Sequence, residues 1–300
     1  MTSGPGEPWK REHALPDLDF AALTGPVDRA GNDRLQRSHD RQFLGAGVVV
    51  ALALVAAVVP ALILWTVSPW LALVPLAVVA GLAAALTVVT RRSAHRQAEA
   101  RLRLAGFAAD NAMTWTPELV APERSWAIFD VGILRKAEDV VTMSEPREAE
   151  LATYSFASGY RNAELVRWGY ATTALAVAPG PHVLLVSRAP HRAGRPRFPG
   201  ARTPGGVLDL PGLDQAVEVR GPVGRAADVG RLMAPLLPLR DRLIDPARPP
   251  VHIEVVDARL YLYSPEPLVS TDPDRWRWIL PLLVDVAEAF EGAAITDEPT

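Results

Sequence analysis

The sequence predicts a membrane-anchored α+β protein, in which a transmembrane α-helical hairpin precedes a cytosolic antiparallel sheet packed against a C-terminal helix. Three observations lead to this prediction. Residues 42–90 contain no charged side chain. Residues 113–264 hold several short runs with the two-residue period of strands. Residues 273–290 carry one apolar stripe at helical spacing.

The uncharged stretch divides at Val67-Ser68-Pro69 into two spans, 43–67 and 70–90. At about 1.5 Å per helical residue, each span is long enough to cross a hydrocarbon core of about 30 Å. A secretory signal peptide is the alternative for the first span, but its apolar region would be shorter and would start nearer to Met1. We therefore expect a transmembrane helical hairpin over 42–90.

The charges that flank the spans predict their orientation. Arginines stand before the first span and after the second, whereas the turn between the spans is uncharged: Arg29, Arg34, Arg37 and Arg41 come before, and Arg91, Arg92, Arg96, Arg101 and Arg103 come after. Basic flanks stay in the cytoplasm. We expect a multi-pass protein of the cytoplasmic (plasma) membrane with both termini cytoplasmic.

The segments beside the spans differ in composition. Residues 1–41 are rich in Gly, Pro and charge and hold one short apolar cluster, Leu18, Phe20 and Leu23. We expect a disordered cytoplasmic tail, and the alternative is a docking peptide built around that cluster. Residues 91–112 keep helical spacing and predict a juxtamembrane helix. Residues 293–300 are expected to form a disordered C-terminus.

The cytosolic α+β domain is predicted over 113–292. Strands are expected at 126–131, 140–143, 152–158, 167–177 and 182–187, followed by a long loop at 189–212 and a short strand or two within 208–219. Two short helices are expected in 226–244, because Pro235 and Pro238 interrupt the helical spacing there.

The last two elements have the clearest patterns. Residues 251–256 and 259–263 alternate on either side of Asp257-Ala258 and predict a hairpin. The terminal helix starts at Pro273 behind a Thr271 or Asp272 cap. Its apolar stripe comprises Trp276, Ile279, Leu280, Leu283, Ala287 and Phe290. We expect this stripe to pack against the sheet.

Three short motifs, in their order along the chain, resemble a known family. They are Phe107-Ala-Ala-Asp-Asn-Ala-Met-Thr-Trp115 after the hairpin, Arg167-Trp-Gly-Tyr170 at the start of a strand, and Leu260-Tyr-Leu-Tyr-Ser264 before the terminal helix. Across residues 30–290 the chain resembles an uncharacterised family of actinobacterial predicted membrane proteins. The resemblance implies an architecture, a two-helix hairpin with a C-terminal cytosolic domain, and no activity.

The sequence contains no strong catalytic signature. The run Ala157-Ser158-Gly159 lacks the preceding glycine of a nucleophile elbow, and there is no phosphate-binding glycine loop and no His-Glu-x-x-His pair. The absence of cysteine removes thiolate nucleophiles and thiolate metal ligands. We therefore predict no catalytic residue, no metal and no cofactor.

A small-ligand sensor or an enzyme with a site on the sheet face is the alternative. Its candidate residues are His182, His252 and Glu254, which stand on predicted strands, with Asp257 close by. A metal would require both histidines to converge with one of these carboxylates, and the spacing does not predict that. A solvated strand face explains the same residues without any function.

One basic segment stands out between the predicted strands. Residues 188–202 contain no acidic residue, and Phe198 lies among their basic side chains. We expect five arginines of this segment to bind anionic lipid headgroups: Arg188, Arg192, Arg195, Arg197 and Arg202. Each would add about 1 kcal/mol of attraction near a cytoplasmic leaflet. The alternative is a solvated Pro/Gly/Arg loop. Nucleic acid is not an expected partner, because aromatic residues are not interleaved through the segment.

The predicted function is that of a membrane-tethered interaction or scaffold module without enzymatic activity. Neither span contains an ionisable residue, which argues against transport. Gly45, Gly47 and Gly81 offer small-residue surfaces for helix association. The expected partners are the lipid bilayer, its anionic headgroups, and another membrane protein or a second copy of the chain. A role as an accessory subunit of a membrane complex differs only in where the partner binds.

Overall fold

The computed structural model of the 300-residue chain describes residues 17–26, 68–120, 122, 128–158, 164–178, 180–188, 198, 205–209 and 217–295. Its contacts divide the chain into two compact units. One unit, here called the sheet domain, comprises Met1–Thr24 and Leu104–Thr300, and the other is Gly25–Arg103. The first predicted span, 43–67, lies outside the described residues.

The described elements confirm the α+β class and the antiparallel sheet. The helices are α1 (Ala21–Thr24), α2 (Pro69–Asp110), α3 (Ala226–Met233), α4 (Arg240–Leu243) and α5 (Pro273–Ile295), with 3-10 turns at Val223–Arg225 and Ala234–Leu239. The strands are β1 (Thr114–Val120), β2 (Ile133–Met143), β3 (Ala149–Ser158), β4 (Glu164–Ala174), β5 (Val183–Ser187), β6 (Gly206–Leu208), β7 (Val217–Gly221), β8 (His252–Val256) and β9 (Arg259–Ser264). They form one nine-stranded sheet in the order β1-β2-β3-β4-β9-β8-β5-β7-β6.

Helix α2 contains the second predicted span and the predicted juxtamembrane segment without a break. Within the described part of the chain, it is the one helix long and apolar enough to cross a membrane. The side chains of Val78, Leu82 and Val89 are 55%, 65% and 63% exposed. Helix α2 ends where the Met113 N–H donates to the Ala108 carbonyl at 2.7 Å. The two-helix membrane hairpin itself is not shown, because only its second helix is described.

Helices α3 and α5 and the 3-10 turn between them cover one face of the sheet, here called the helix face. All six residues of the predicted α5 stripe are buried. The Asp272 carboxylate accepts the Asp274 N–H at 3.0 Å, which confirms the predicted cap. Leu260 and Leu262 of β9 are fully buried toward this face. The predicted packing of a terminal helix on the sheet is therefore present.

A largely buried ion pair connects α5 to the loop between β2 and β3. Arg147, between β2 and β3, contacts the Glu291 carboxylate through both terminal nitrogens, at 2.9 and 2.5 Å. Their side chains are 10% and 14% exposed. Glu291 also accepts the Ala176 N–H at 2.7 Å. Asp285, on the same helix, pairs with Arg242 at a much more exposed position, where the side chains are 38% and 42% exposed.

Part of the predicted disordered tail is helical and buried. Leu23 is 1% exposed, and the ring of Phe20 stacks on that of Phe107 with centroids 5.7 Å apart. The Asn111 side chain exchanges two hydrogen bonds of 2.8 Å with the backbone of Asp19. The prediction is wrong for these residues because an apolar cluster too small for its own core is buried on a core that the rest of the chain supplies. They dock onto the chain's own sheet domain.

Two strand predictions also need correction. Residues 128–130 form a turn rather than part of a strand, and β2 starts after Gly132, whose φ is 77°. A Cβ at Gly132 would overlap the Phe156 ring and crowd the Ala157 carbonyl, so the tight approach requires glycine. The predicted long loop contains β6, which pairs with β7. In both places, strand pairing set boundaries that local composition did not show.

Candidate functional site

The face of the sheet opposite the helix face, here called the aromatic face, carries closely packed rings. Strand alternation places Trp168 and Tyr170 of β4 on this face, together with Tyr261 and Tyr263 of β9. Phe129 lies among them, with its ring centroid 5.0 to 6.1 Å from those of the three tyrosines. The rings form a second core layer on a sheet whose other face is covered by helices.

A fully buried carboxylate lies on the aromatic face. Glu254 of β8 is 0% exposed. Its Oε1 is 2.7 Å from His182 Nε2, and its Oε2 accepts the Tyr263 hydroxyl at 2.7 Å. The β8–β9 hairpin places Tyr263 beside Glu254, and β5 pairs with β8 immediately after His182. Residues far apart in sequence therefore converge because three antiparallel strands are neighbours.

Charge and burial explain why this carboxylate needs both contacts. An ionised carboxylate loses its hydration on burial, and hydrogen bonds must replace the water. Burial, followed by the charge of Glu254, raises the pKa of Tyr263 well above its usual value. The phenol consequently keeps its proton and donates a hydrogen bond to the carboxylate. The side chain of His182 is 19% exposed and forms the outer end of this chain of contacts.

His252 lies on the same face but makes different contacts. Its Nδ1 accepts the Ser187 N–H at 3.1 Å, which joins β8 to the end of β5. Its ring lies 4.7 Å from the Phe198 ring and 5.6 Å from the Trp168 ring, measured between centroids. The structure thus brings His182 and Glu254 together and leaves His252 in a separate contact. Asp257 is exposed in the hairpin turn, at φ 49°.

The arrangement restricts the chemistry that the aromatic face can perform. A general acid or base must reach the proton that it transfers. Glu254 and Tyr263 are both 0% exposed, so only the edge of His182 meets solvent. Among the residues that the structure describes, no group of three or more His, Asp or Glu side chains is arranged to hold a metal. The contacts act chiefly to join β5, β8 and β9.

The predicted lipid-binding segment is described at two positions. Arg188 is exposed immediately after β5. Phe198 is partly buried on the aromatic face, where its ring centroid is 5.4 Å from that of Trp168 and 5.8 Å from that of Tyr263. The other four arginines predicted to bind lipid, Arg192, Arg195, Arg197 and Arg202, lie outside the described residues.

Sequence reasoning missed the aromatic partners of Glu254. The signal was present as alternation, because Trp168 and Tyr170, and likewise Tyr261 and Tyr263, are two residues apart and must share a face of any strand. The motifs that carry them otherwise support only the family resemblance. Pairing of Tyr170 with Tyr263 across β4 and β9 then unites the two sets.

Comparison with known proteins yields one weak structural likeness. No protein-family model and no curated protein matches the chain. Among solved structures, the chain is similar to the crystal structure of the mycobacterial trehalose monomycolate transport factor A, TtfA, at 10% sequence identity and a TM-score of 0.41. The likeness covers 67% of this chain and 97% of that chain.

Proposed function

We propose that this protein is a membrane-tethered interaction module without enzymatic activity, whose sheet domain presents a binding surface in the cytoplasm. The observation that carries the proposal is the composition of α2. Its first half exposes Val78, Leu82 and Val89, and Arg91 and Arg92 then follow directly. A long exposed apolar helix with a basic end is typical of a membrane span with a cytoplasmic flank.

The proposed topology is a multi-pass hairpin, 43–67 and 70–90, with both termini in the cytoplasm. The chain contains no cysteine, so a thiol reagent labels only a cysteine introduced by substitution, and its labelling reports topology. We expect Ser68→Cys to react with a membrane-impermeant maleimide added outside intact cells. Asp257→Cys, exposed in the sheet domain, should react only after the cells are permeabilised. Reaction of Asp257→Cys in intact cells would refute the orientation.

Burial on the aromatic face supports a non-enzymatic role. Glu254 and Tyr263 are closed off from solvent. Affinity capture of the crosslinked full-length protein from its membrane tests the interaction module. A stoichiometric partner that is lost when the chain is truncated after Arg103 is the expected result. Capture of the same partner by both forms would assign binding to the spans instead.

The basic segment adds a proposed attraction to anionic lipid, carried by Arg188, Arg192, Arg195, Arg197 and Arg202. Trypsin cleavage after Arg188, Arg192, Arg197 and Arg202 tests it in the full chain in nanodiscs, since trypsin does not cleave the Arg195–Pro196 bond. Phosphatidylglycerol should slow cleavage relative to phosphatidylcholine, and high salt should abolish the difference. Cleavage after Arg225, exposed in a 3-10 turn, serves as the internal control. Equal cleavage in both lipids at low salt would exclude headgroup binding.

A small-ligand sensor is the second candidate, favoured by the convergence of His182 with Glu254. A ligand that reached this carboxylate would have to supply hydrogen-bond donors, as an amine or a guanidine does. Thermal shift of the full chain with small amines and guanidines tests the candidate. A shift that disappears in Glu254→Gln would favour a sensor, whereas no shift would favour a purely structural contact.

A further inference from the structure

Five exposed apolar side chains lie at one end of the sheet domain, where β1 ends and β2 and β4 begin. This group, here called the apolar fringe, comprises Leu119, Val120, Ile133, Leu134 and Leu165, which are 41%, 73%, 41%, 79% and 54% exposed. Exposed apolar patches larger than a few hundred Å² mark interaction sites on soluble domains. Scattered single residues would carry no such meaning.

The strand register places the fringe positions on neighbouring strand ends. Ile133 pairs with Ala157 of β3, and Ala157 pairs in turn with Leu165 of β4. Val120 pairs with Lys136 of β2, a few residues further along that strand. Neighbouring strands are about 4.8 Å apart, so the four strands span about 15 Å. The five positions therefore lie at one end of the sheet, where strand alternation places Val120, Ile133 and Leu165 on one face and Leu119 on the other.

Leu134 is held outward by an unfavourable backbone conformation. Its φ is 54°, in the left-handed region that non-glycine residues rarely occupy, and it lies in the irregular register between Ile133 and Lys136. Such a conformation costs on the order of 1–3 kcal/mol and is typical of functional positions. A large apolar side chain that is both strained and 79% exposed contributes little to folding. The β-bulge accounts for the backbone conformation, and the exposed side chain is left available for an external contact.

The charges around the fringe are paired with one another. Lys136 lies 3.1 Å from Glu118 and 2.8 Å from Glu138. Arg167 lies 3.7 Å from the same Glu138. The fringe therefore has no strong net charge with which to select an acidic or a basic partner. Its chemistry fits an apolar layer bordered by polar groups.

The bilayer is such a layer, and the sheet domain follows the predicted second span closely in sequence. Leu104, the first residue of the main part of the sheet domain, follows Thr90 of the predicted second span by 14 residues (104 minus 90). These 14 residues belong to helix α2 and make about 21 Å of helix. Attachment at this distance gives the domain a high effective concentration near the surface, so weak contacts are populated. Transfer of exposed Leu, Ile and Val side chains from water to the boundary between headgroups and acyl chains is favourable.

We propose that the apolar fringe inserts into the headgroup boundary of the bilayer that carries the spans and so docks the sheet domain on the membrane. The inference rests on the proposed membrane tether. Insertion of this kind depends on apolar burial, so it occurs on neutral lipid and persists at high salt. That behaviour separates it from headgroup binding by the arginines of the basic segment.

Nitroxide labels on single cysteines test the proposal in the full chain in phosphatidylcholine nanodiscs. The labelled positions are Val120→Cys and Leu134→Cys in the fringe, Val207→Cys on β6 as a control, and Leu82→Cys in α2. Val207 is a matched control because it is 58% exposed on the other edge strand. Collisions with oxygen report lipid, and collisions with a neutral nickel chelate report water.

We expect fringe labels to lose contact with the nickel chelate and to gain contact with oxygen, while the Val207 label stays aqueous. Aqueous fringe labels beside a lipid-immersed Leu82 label would overturn the proposal and leave the tether intact. An aqueous Leu82 label would overturn the tether and the proposal together. Fringe labels shielded from both reagents would identify a protein partner instead of lipid and would also overturn the proposal.

A paired substitution separates docking from folding. Asparagine tolerates the left-handed region, so Leu134→Asn should preserve or raise stability while it removes the most exposed apolar side chain of the fringe. In that background, a label at Val120 should regain contact with the nickel chelate. Leu237→Asn, at a 43% exposed position outside the fringe, should leave the Val120 label unchanged. Unchanged immersion in Leu134→Asn would show that Leu134 does not dock the domain.

Discussion

Replacing Tyr263 by phenylalanine removes one hydroxyl from the aromatic face and retains the ring. The hydroxyl donates to the Glu254 Oε2 at 2.7 Å, and both residues are 0% exposed. Without it, the carboxylate keeps the His182 imidazole as its donor within the described residues. The ring can still pack between Phe129 and Phe198, whose centroids lie 6.1 and 5.8 Å away.

The expected loss of stability follows from the charge of the acceptor. A hydrogen bond to a charged group contributes about 1.5–3 kcal/mol, whereas a neutral one contributes about 1 kcal/mol. We therefore expect Tyr263→Phe to lower the free energy of unfolding of the sheet domain by about 2 kcal/mol. For a domain of about 150–250 residues, each kcal/mol lowers the Tm by about 2–4 °C, so the shift should be about 4–8 °C.

Tyr154→Phe is the matched control. Tyr154 is also buried on the aromatic face, but its hydroxyl donates to the neutral Phe129 carbonyl at 2.9 Å, and its charged neighbour is the Arg135 guanidinium rather than a carboxylate. Thermal unfolding of the full chain in nanodiscs, followed by near-ultraviolet circular dichroism, compares the two variants. In a Glu254→Leu background the cost of Tyr263→Phe should fall by at least about 1 kcal/mol. Equal costs for both tyrosines, or no coupling to Glu254, would refute the reasoning.

Three further predictions follow from other contacts. Arg147→Ala removes the largely buried ion pair with Glu291 and should cost about 3 kcal/mol in denaturant unfolding; Arg242→Ala, at the exposed pair on the same helix, should cost less than about 1 kcal/mol, and equal costs would contradict the account. Burial raises the pKa of Tyr154 from 10.0 to about 12. Because the unfolded phenol ionises first, Tyr154 should contribute a loss of up to about 1.4 kcal/mol per pH unit as pH rises from 10 toward 12, in addition to the loss from Tyr263, whose pKa is also raised. The loss should be smaller in Tyr154→Phe than in the parent, and an equal loss would contradict that origin. Gly132→Ala should destabilise the sheet domain by more than about 2 kcal/mol, because the added Cβ would overlap the Phe156 ring and because φ at this position is 77°. A Tm within about 2 °C of the parent would show that this approach is not tight.

The elements with strong local patterns were predictable. The hairpin of β8 and β9 occurs as predicted, with Asp257 and Ala258 both at positive φ, which matches the right-handed twist of the flanking strands. The prolines in 226–244 split a helical pattern into α3, a 3-10 turn and α4. Each of these features depends on neighbours within a few residues. Periodicity and turn chemistry therefore sufficed.

The failures share a different cause. The segment around Leu23 looked too short for a core, and it is buried because Phe107 and other distant residues provide one. Residues 128–130 had the composition of a strand, and Ile128 and Phe129 instead fill the second core layer above the sheet. Local propensity is a weak guide where burial by remote residues decides the conformation.

The sequence by itself determined the apolar stretch, its arginine flanks, the α+β class and the aromatic alternation, since composition and period are local properties. Only the tertiary structure decided which polar groups meet. His182 and Glu254 are 72 residues apart, and their contact requires β5 to pair with β8 in one particular register. Register across a sheet is set by the burial of whole strands. For that reason, the sequence suggested His182 and Glu254 only as separate candidates, and the tertiary structure brings them together as a partly buried pair that Tyr263 supports.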